Sequence, residues 1–144
     1  YATLFGPVSI TNEYRDDSRN MMLRALSLSN FAPELAHLVK PRHAPKRRTR
    51  GEWANPDFEK FISDVDGVSA IIQDIEADHK GIPILLRQYL KLGGRLLAFN
   101  LDEEFSSVVD GLIAIDLRQT DRKTMVRYMG EEAADAFRRH HGLA

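Results

Sequence analysis

Polar residues that could carry acid–base chemistry follow the first apolar segment of the chain. Residues 3–10 (TLFGPVSI) include Ser9, and Asn12, Glu13 and Tyr14 come shortly after it. A carboxylate can accept a proton from an amine, and a phenol can donate one to a leaving group. Loops after strands often carry such residues. The same side chains could instead make the local turn bonds of an ordinary loop.

A second candidate is a pair of cations in a predicted amphipathic helix over residues 82–92. Arg87 and Lys91 are four residues apart, so their charges lie close together on one face. An anion between them, such as a substrate carboxylate or a lipid phosphate, would offset their repulsion. Cations near a helix C-terminus are also favoured by the helix dipole, so a purely structural role stays open.

Asn100 and Asp110 are polar residues inside two predicted strands, at residues 95–101 and 108–117. Buried polar groups need hydrogen-bond partners. The two residues could bind an ammonium group, since a carboxylate suits one, or they could hold the strands together. Strand alternation groups each with the residues two positions away: Leu96, Ala98, Asn100 and Asp102 in the first strand, and Asp110, Leu112, Ala114 and Asp116 in the second.

The segment from Lys40 to Gly51, KPRHAPKRRTRG, concentrates positive charge in a proline-broken loop, here called the basic segment. It could be a solvated loop, or it could dock an acidic protein or an anionic membrane surface. We expect no nucleic acid partner, because no aromatic residues are interleaved with the cations. The cations are Lys40, Arg42, Lys46, Arg47, Arg48 and Arg50.

Composition describes an ordinary globular domain of 144 residues with 43% hydrophobic residues and a net charge of -1. That balance argues against general polyanion binding. The absence of cysteine excludes disulfides and thiolate metal sites. No apolar run reaches the roughly 20 residues of a membrane span, and no signal peptide is visible. Adjacent His140 and His141 would point apart on a helix, so we expect no metal site.

The elements that must position these residues alternate in type along the chain. One strand, a helical stretch and then two adjacent strands indicate an α/β or α+β fold rather than a helical bundle. We predict strands at 3–10, 95–101 and 108–117; helices beginning near Asp17, Pro33 and Asn55-Pro56; a helix from Asp66 to Gly81; and helices at 82–92, 121–129 and 131–140.

Two blocks of the sequence resemble a known family. Residues 81–117, GIPILLRQYLKLGGRLLAFNLDEEFSSVVDGLIAIDL, and residues 4–14, LFGPVSITNEY, resemble the C-terminal part of the hemolysin-labelled bacterial N-acyltransferases, which are GNAT relatives of the ornithine N-acyltransferases. The resemblance implies a single domain over residues 1–144. It also implies the C-terminal part of a GNAT-like fold, with a mixed sheet flanked by helices.

The resemblance further implies transfer of a fatty acyl group from acyl carrier protein, or from acyl-CoA, to an amine such as ornithine or a lipid precursor. We expect the acyl donor as co-substrate and no tightly bound cofactor. The expected partner of the basic segment is then acyl carrier protein. The expected location is the cytoplasm or the inner face of the inner membrane. The resulting roles are catalysis for Glu13, Tyr14 and Asn12, and substrate binding for Ser9, Arg87, Lys91, Asn100 and Asp110.

The family's donor-binding half has no counterpart in these residues, and no G-x-G-x-x-G or similar phosphate-binding loop occurs. We therefore expect the chain alone to be inactive. The alternative function is a non-catalytic regulatory module whose basic segment docks an acidic partner or an anionic membrane.

Overall fold

A three-stranded antiparallel sheet with helices packed on it forms the fold in the computed structural model, which describes residues 1–46, 60 and 64–143. The strands are β1 (Thr3–Ile10), β2 (Arg95–Asp102) and β3 (Val108–Asp116), with β3 in the centre. The expected α+β class is confirmed at this level. The helices are α1 (Asp16–Ser29), α2 (Pro33–Ala36), α3 (Val65–Ile75), α4 (Ile84–Lys91), α5 (Arg122–Met129) and α6 (Glu131–His140), with a 3-10 turn at Leu117–Gln119.

The sheet differs from the mixed sheet that was expected. Both β1 and β2 pair antiparallel with β3. The parallel pairing described is an isolated bridge between Phe31 and Leu96 beside the outer edge of β2. The predicted helix after Asn55-Pro56 lies outside the described residues.

The core lies between one face of the sheet and three helices. Side chains at alternate strand positions point to this face, as strand geometry requires. Helices α1, α3 and α4 cover it with residues at helical spacing. Fully or almost fully buried members are Val8 and Ile10 of β1, Val109, Ile113 and Ile115 of β3, Met22 and Leu26 of α1, Val68 and Ile72 of α3, and Leu86 of α4.

A β-bulge in β2 changes which residues share a face. Leu96 pairs with Ile113, whereas Ala98 pairs with Leu112, so β2 has one residue more than β3 at this point. Leu96 is fully buried in the core, on the opposite side from Ala98. The prediction that Leu96 shares a face with Ala98 and Asn100 was therefore wrong, because uninterrupted alternation cannot anticipate an inserted residue.

The connection between α3 and α4 is held by specific hydrogen bonds. Helix α3 ends at Ile75 rather than near Gly81, and Asp64, not Asp66, caps its start by accepting two backbone N–H bonds. Buried Glu76 accepts a hydrogen bond from the backbone N of Arg15, at 2.8 Å, where α1 begins. A carboxylate is favoured at a helix N-terminus, so Glu76 joins this connection to α1.

Candidate functional site

The sheet face that points away from the core brings together three residues predicted to bind substrate. The register pairs Ser9 with Asp110 and Asp110 with Asn100, so the three form one row across β1, β3 and β2. Ser9 Oγ donates to Asp110 Oδ1 at 2.5 Å. We call Ser9, Asp110 and Asn100 the polar row.

An apolar row lies beside the polar row. Pro7, Leu112 and Ala98 occupy the next outward-facing positions of the same strands and are paired across the sheet. Val39 and Pro41, from the chain after α2, close one side. Together with Asn100, Asp110 and Gly111, these residues line a shallow groove of about 120 Å³, here called the sheet groove. A carboxylate and an amide therefore stand at one end of an apolar floor.

Asn100 has a second role at the edge of β2. Its Oδ1 accepts a hydrogen bond from the backbone N–H of His43, at 2.8 Å. The carbonyl of His43 in turn accepts a hydrogen bond from the backbone N–H of Leu101, at 2.7 Å. These bonds place the start of the basic segment beside β2. An amide group can make further hydrogen bonds beyond this one, through the second lone pair of Oδ1 and the two N–H groups of Nδ2.

Asp110 is half-buried and makes no ion pair with any residue in the described part of the chain. The partner described for its carboxylate is the neutral hydroxyl of Ser9. A carboxylate has about four lone-pair sites, so one hydroxyl leaves most of them available to a ligand. The groove can therefore hold a cation, such as an ammonium, next to an aliphatic group.

Asn12 and Tyr14, expected to be catalytic, make structural contacts. Asn12 Nδ2 donates to the carbonyl of Ser106 at 2.9 Å, in the turn between β2 and β3. Tyr14 is only 8% exposed, packs in the core cluster and donates from its hydroxyl to the carbonyl of Gly81 at 2.6 Å. Burial raises the pKa of Tyr14, and neighbouring carboxylates raise it further.

Glu13 precedes Tyr14 and has an exposed side chain. Its backbone carbonyl accepts a hydrogen bond from Lys80 Nζ at 3.1 Å, and the same ammonium lies 4.7 Å from the centre of the Tyr14 ring. Lys80 also pairs with Asp78 at 3.2 Å. The contacts described for residues 12–14 thus differ from those of the polar row, and catalysis by Asn12, Glu13 or Tyr14 stays a prediction.

The cations of α4 are not part of the sheet groove. Arg87 donates to Asp66 at 2.8 Å, which links α4 to α3. Lys91 is exposed in the last turn of α4, where a cation complements the helix dipole. Substrate binding by Arg87 and Lys91 stays a prediction.

The described part of the basic segment includes Lys40, Arg42 and Lys46, while Arg47, Arg48 and Arg50 lie outside the described residues. Arg42 and Lys46 are exposed, and none of the three described cations pairs with an acid within residues 1–46, 60 and 64–143. Their charges are therefore open to an external partner.

A wider groove of about 540 Å³ lies between α1, the ends of β2 and β3, and residues 43–46. Leu23, Leu101 and Val109 form its apolar part. Its rim carries acidic and basic side chains in similar number. Neither sign of charge predominates, so the charge does not indicate a ligand. The rim residues are Asp16, Arg19, Asn20, His43, Lys46 and Glu103.

Sequence reasoning missed several parts of the site. Strand alternation could have identified Pro7 as a neighbour of Ser9, and it did group Ala98 with Asn100 and Leu112 with Asp110. The contribution of Val39 and Pro41 had no local signal, since it depends on how the chain returns beside β2. Among the described residues, no cluster of three or more His, Asp or Glu side chains could hold a metal ion, and no helix has the length and apolar character to cross a membrane.

Comparisons of the chain with protein-family models, curated proteins and solved structures found no match.

Proposed function

We propose that this chain is part of a GNAT-like N-acyltransferase, and that its polar row binds the amine that receives the acyl group. The observation that carries the proposal is the Ser9–Asp110 pair at 2.5 Å, with Asn100 as the next residue of the row and an apolar floor beside it. Three candidate residues from three different strands meet there. The fatty acyl donor in this proposal is acyl carrier protein or acyl-CoA, and the acceptor is ornithine or a lipid precursor.

The chemistry requires the acceptor to lose a proton before it attacks. Asp110 would hold the ammonium and take its proton directly or through a water molecule, as a general base does. The free amine then attacks the thioester carbonyl carbon, the C–N bond forms and the C–S bond breaks. The attacking nitrogen loses its second proton to solvent as the amide forms, and the thiolate leaves and takes up the proton held by Asp110. Ser9 would orient the Asp110 carboxylate, and the apolar row would pack against the aliphatic part of the acceptor.

Asp110→Asn in the complete protein that contains this chain tests the proposal. The amide cannot act as a base, so we expect kcat/KM for acyl transfer to fall by about 100-fold or more. Thermal unfolding should change little, because the substitution keeps the shape of the side chain. Asp74→Asn, which alters an exposed carboxylate on α3, is the matched control and should leave turnover unchanged.

Glu13→Gln, assayed in parallel, separates the two candidate bases. If Asp110 is the base, Glu13→Gln should change turnover by less than about threefold, in keeping with a peripheral charge. If Asp110→Asn keeps wild-type turnover and Glu13→Gln loses most of it, the general base is Glu13, in the loop after β1, and not Asp110.

A second candidate function is a non-catalytic module that docks an acidic partner. The observation that favours it is the set of described cations of the basic segment, Lys40, Arg42 and Lys46, which lack acidic partners in the described residues. Under this function, Asp110→Asn would leave biological activity intact and neutralising the basic segment would abolish it.

A further inference from the structure

Helices α4 and α5 are linked by two side-chain contacts. Thr120, just before α5, donates from its hydroxyl to the carbonyl of Leu92 at 3.0 Å, just after α4. Tyr128, near the end of α5, contacts Gln88 in the middle of α4, with 3.5 Å between Oη and Oε1. The end of α5 therefore lies close to α4.

The two helices expose large apolar side chains. Ile84 is 77% exposed and Leu85 is 53% exposed, immediately before the buried Leu86. On α5, Tyr128 is 55% exposed and Met129 is 36% exposed, while Met125 is buried. Ile84 and Leu85 are four and three residues from Gln88, which Tyr128 contacts. Tyr128 therefore lies on the side of α4 that carries Ile84 and Leu85, and Met129 is the next residue of α5.

The charges of the same two helices are of one sign. Helix α4, ILLRQYLK, and helix α5, RKTMVRYM, contain five cations and no acidic residue. This contrasts with the net charge of -1 of the whole chain. Arg87 is paired with Asp66, and Arg122 is paired with Glu131 and Asp135.

Three cations remain available on the pair. Lys91, Lys123 and Arg127 are exposed and have no acidic partner within the part of the chain that the structure describes. Arg127 lies 6.0 Å from the centre of the Tyr128 ring. Lys91 is the last residue of α4, and Lys123 is the second residue of α5.

We propose that this surface, formed by Ile84, Leu85, Tyr128 and Met129 with Lys91, Lys123 and Arg127, docks on an anionic membrane. Apolar side chains enter the boundary between headgroups and acyl chains, and cations beside them attract anionic lipid. Tyrosine is suited to that boundary, because its ring is apolar and its hydroxyl is polar. An anionic membrane complements both parts of this surface, because its phosphates attract the cations and its acyl chains accommodate the apolar side chains. Membrane docking by this surface does not require acyl transfer.

Binding of the 144-residue chain to sedimented vesicles tests this inference. The vesicles are phosphatidylglycerol with phosphatidylcholine at about 3:7, and phosphatidylcholine alone is the uncharged control. Wild type should bind only the anionic vesicles. Leu85→Ser with Tyr128→Ser should weaken binding at least about tenfold, and Lys123→Gln with Arg127→Gln should weaken it about tenfold.

Two matched variants control for unspecific effects. Leu28→Ser removes an apolar side chain that is 46% exposed on α1, and Arg138→Gln with Arg139→Gln removes two cations from α6; both should bind like wild type. A parallel variant with Arg47, Arg48 and Arg50 changed to Gln tests whether the basic segment supplies the membrane contact instead.

Several results would overturn the inference. Absence of wild-type binding to the anionic vesicles would do so, as would unchanged binding of both helix-pair variants. If Leu85→Ser with Tyr128→Ser changes the sedimentation mass of the chain, or its affinity for acyl carrier protein, but not vesicle binding, the surface is a protein interface.

Discussion

Tyr14 illustrates at the scale of single residues why a chemically capable side chain is often structural. Its ring is large and apolar, and it fills the core where α1, α3 and α4 meet. Its hydroxyl satisfies the carbonyl of Gly81 in the connection before α4. A buried tyrosine needs such a partner, so this bond accounts for the hydroxyl without catalysis. The pKa of Tyr14 is raised by burial first and then by the carboxylates of Glu76, Asp78 and Glu13.

Tyr14→Phe should therefore show a pH-dependent effect on stability. Below the usual tyrosine pKa of 10.0, the variant should be less stable by about 1 kcal/mol, because the bond to Gly81 is lost. The folded-state pKa lies above the unfolded value, so wild-type stability falls as pH rises past that value, while phenylalanine has no proton to lose. Urea unfolding at about pH 8 and about pH 11 should show the difference between the proteins shrinking. A constant difference would argue against the raised pKa.

Gly81 is required for close packing. A Cβ at this position would lie 2.2 Å from Ser69 Oγ. That oxygen accepts a hydrogen bond from the backbone N–H of Ile82, at 3.0 Å. Ser69 has a short side chain that cannot move away without losing this buried bond. Gly81→Ala should therefore destabilise the fold by about 1–3 kcal/mol in urea unfolding. The control is Gly6→Ala, where a Cβ would meet nothing within 4 Å and stability should change by less than about 0.5 kcal/mol. Equal effects of the two changes would contradict the packing argument.

At the scale of elements, the turn between β2 and β3 contains two serines in a left-handed backbone conformation that serine disfavours. Ser106 and Ser107 have φ of 56° and 58°, and Val108 N donates to the carbonyl of Phe105 at 3.2 Å. Two consecutive left-handed residues define a type I′ turn, in which Asn-Gly is favoured over Ser-Ser. Asn12 and Arg19 donate to the carbonyls of Ser106 and Ser107. Asn12, a candidate for catalysis, thus also holds this hairpin in place.

Ser107→Gly should stabilise the protein by about 1 kcal/mol, because glycine adopts a left-handed conformation without a Cβ clash. Asn12→Ala should destabilise it by about 1 kcal/mol through the unsatisfied carbonyl of Ser106. Urea unfolding measures both. Ser107→Ala keeps the Cβ and should give no gain, so stabilisation by alanine as well as by glycine would reject the strain argument.

At the scale of the whole molecule, charge is distributed unevenly. A chain with a net charge of -1 places six lysine and arginine residues between positions 40 and 50. Exposed charges act on a partner over about one Debye length, roughly 8 Å at physiological salt. An acidic partner would therefore be attracted to this region although the molecule as a whole is nearly neutral.

Arg47→Gln, Arg48→Gln and Arg50→Gln together should weaken binding to acyl carrier protein about tenfold at low salt, and the loss should shrink as salt rises. Titration calorimetry at two ionic strengths measures it. Arg138→Gln with Arg139→Gln controls for removal of charge elsewhere and should bind like wild type. If wild type and the triple variant bind equally weakly, the segment is a solvated loop.

The sequence by itself determined most of the elements. Strand β1 has the bounds predicted for it, and the other two strands differ from prediction by one residue at one end. The helices at the C-terminus were likewise placed to within a residue, with Gly130 between them at φ 84°. Apolar periodicity, capping residues and glycine are local signals, because they act through backbone geometry within a few residues. Such signals suffice for element type and approximate bounds.

Only the tertiary structure decided which residues meet. Ser9 and Asp110 are separated by 101 positions, and their contact exists because β3 lies between β1 and β2 in antiparallel register. Local patterns do not specify strand order, and the bulge that turned Leu96 into the core left no signal in the alternation of β2. Pairing and packing are set by the fit of distant apolar surfaces to one another. For that reason Ser9 joined Asp110 on an open sheet face, whereas Tyr14, five residues further along, was buried.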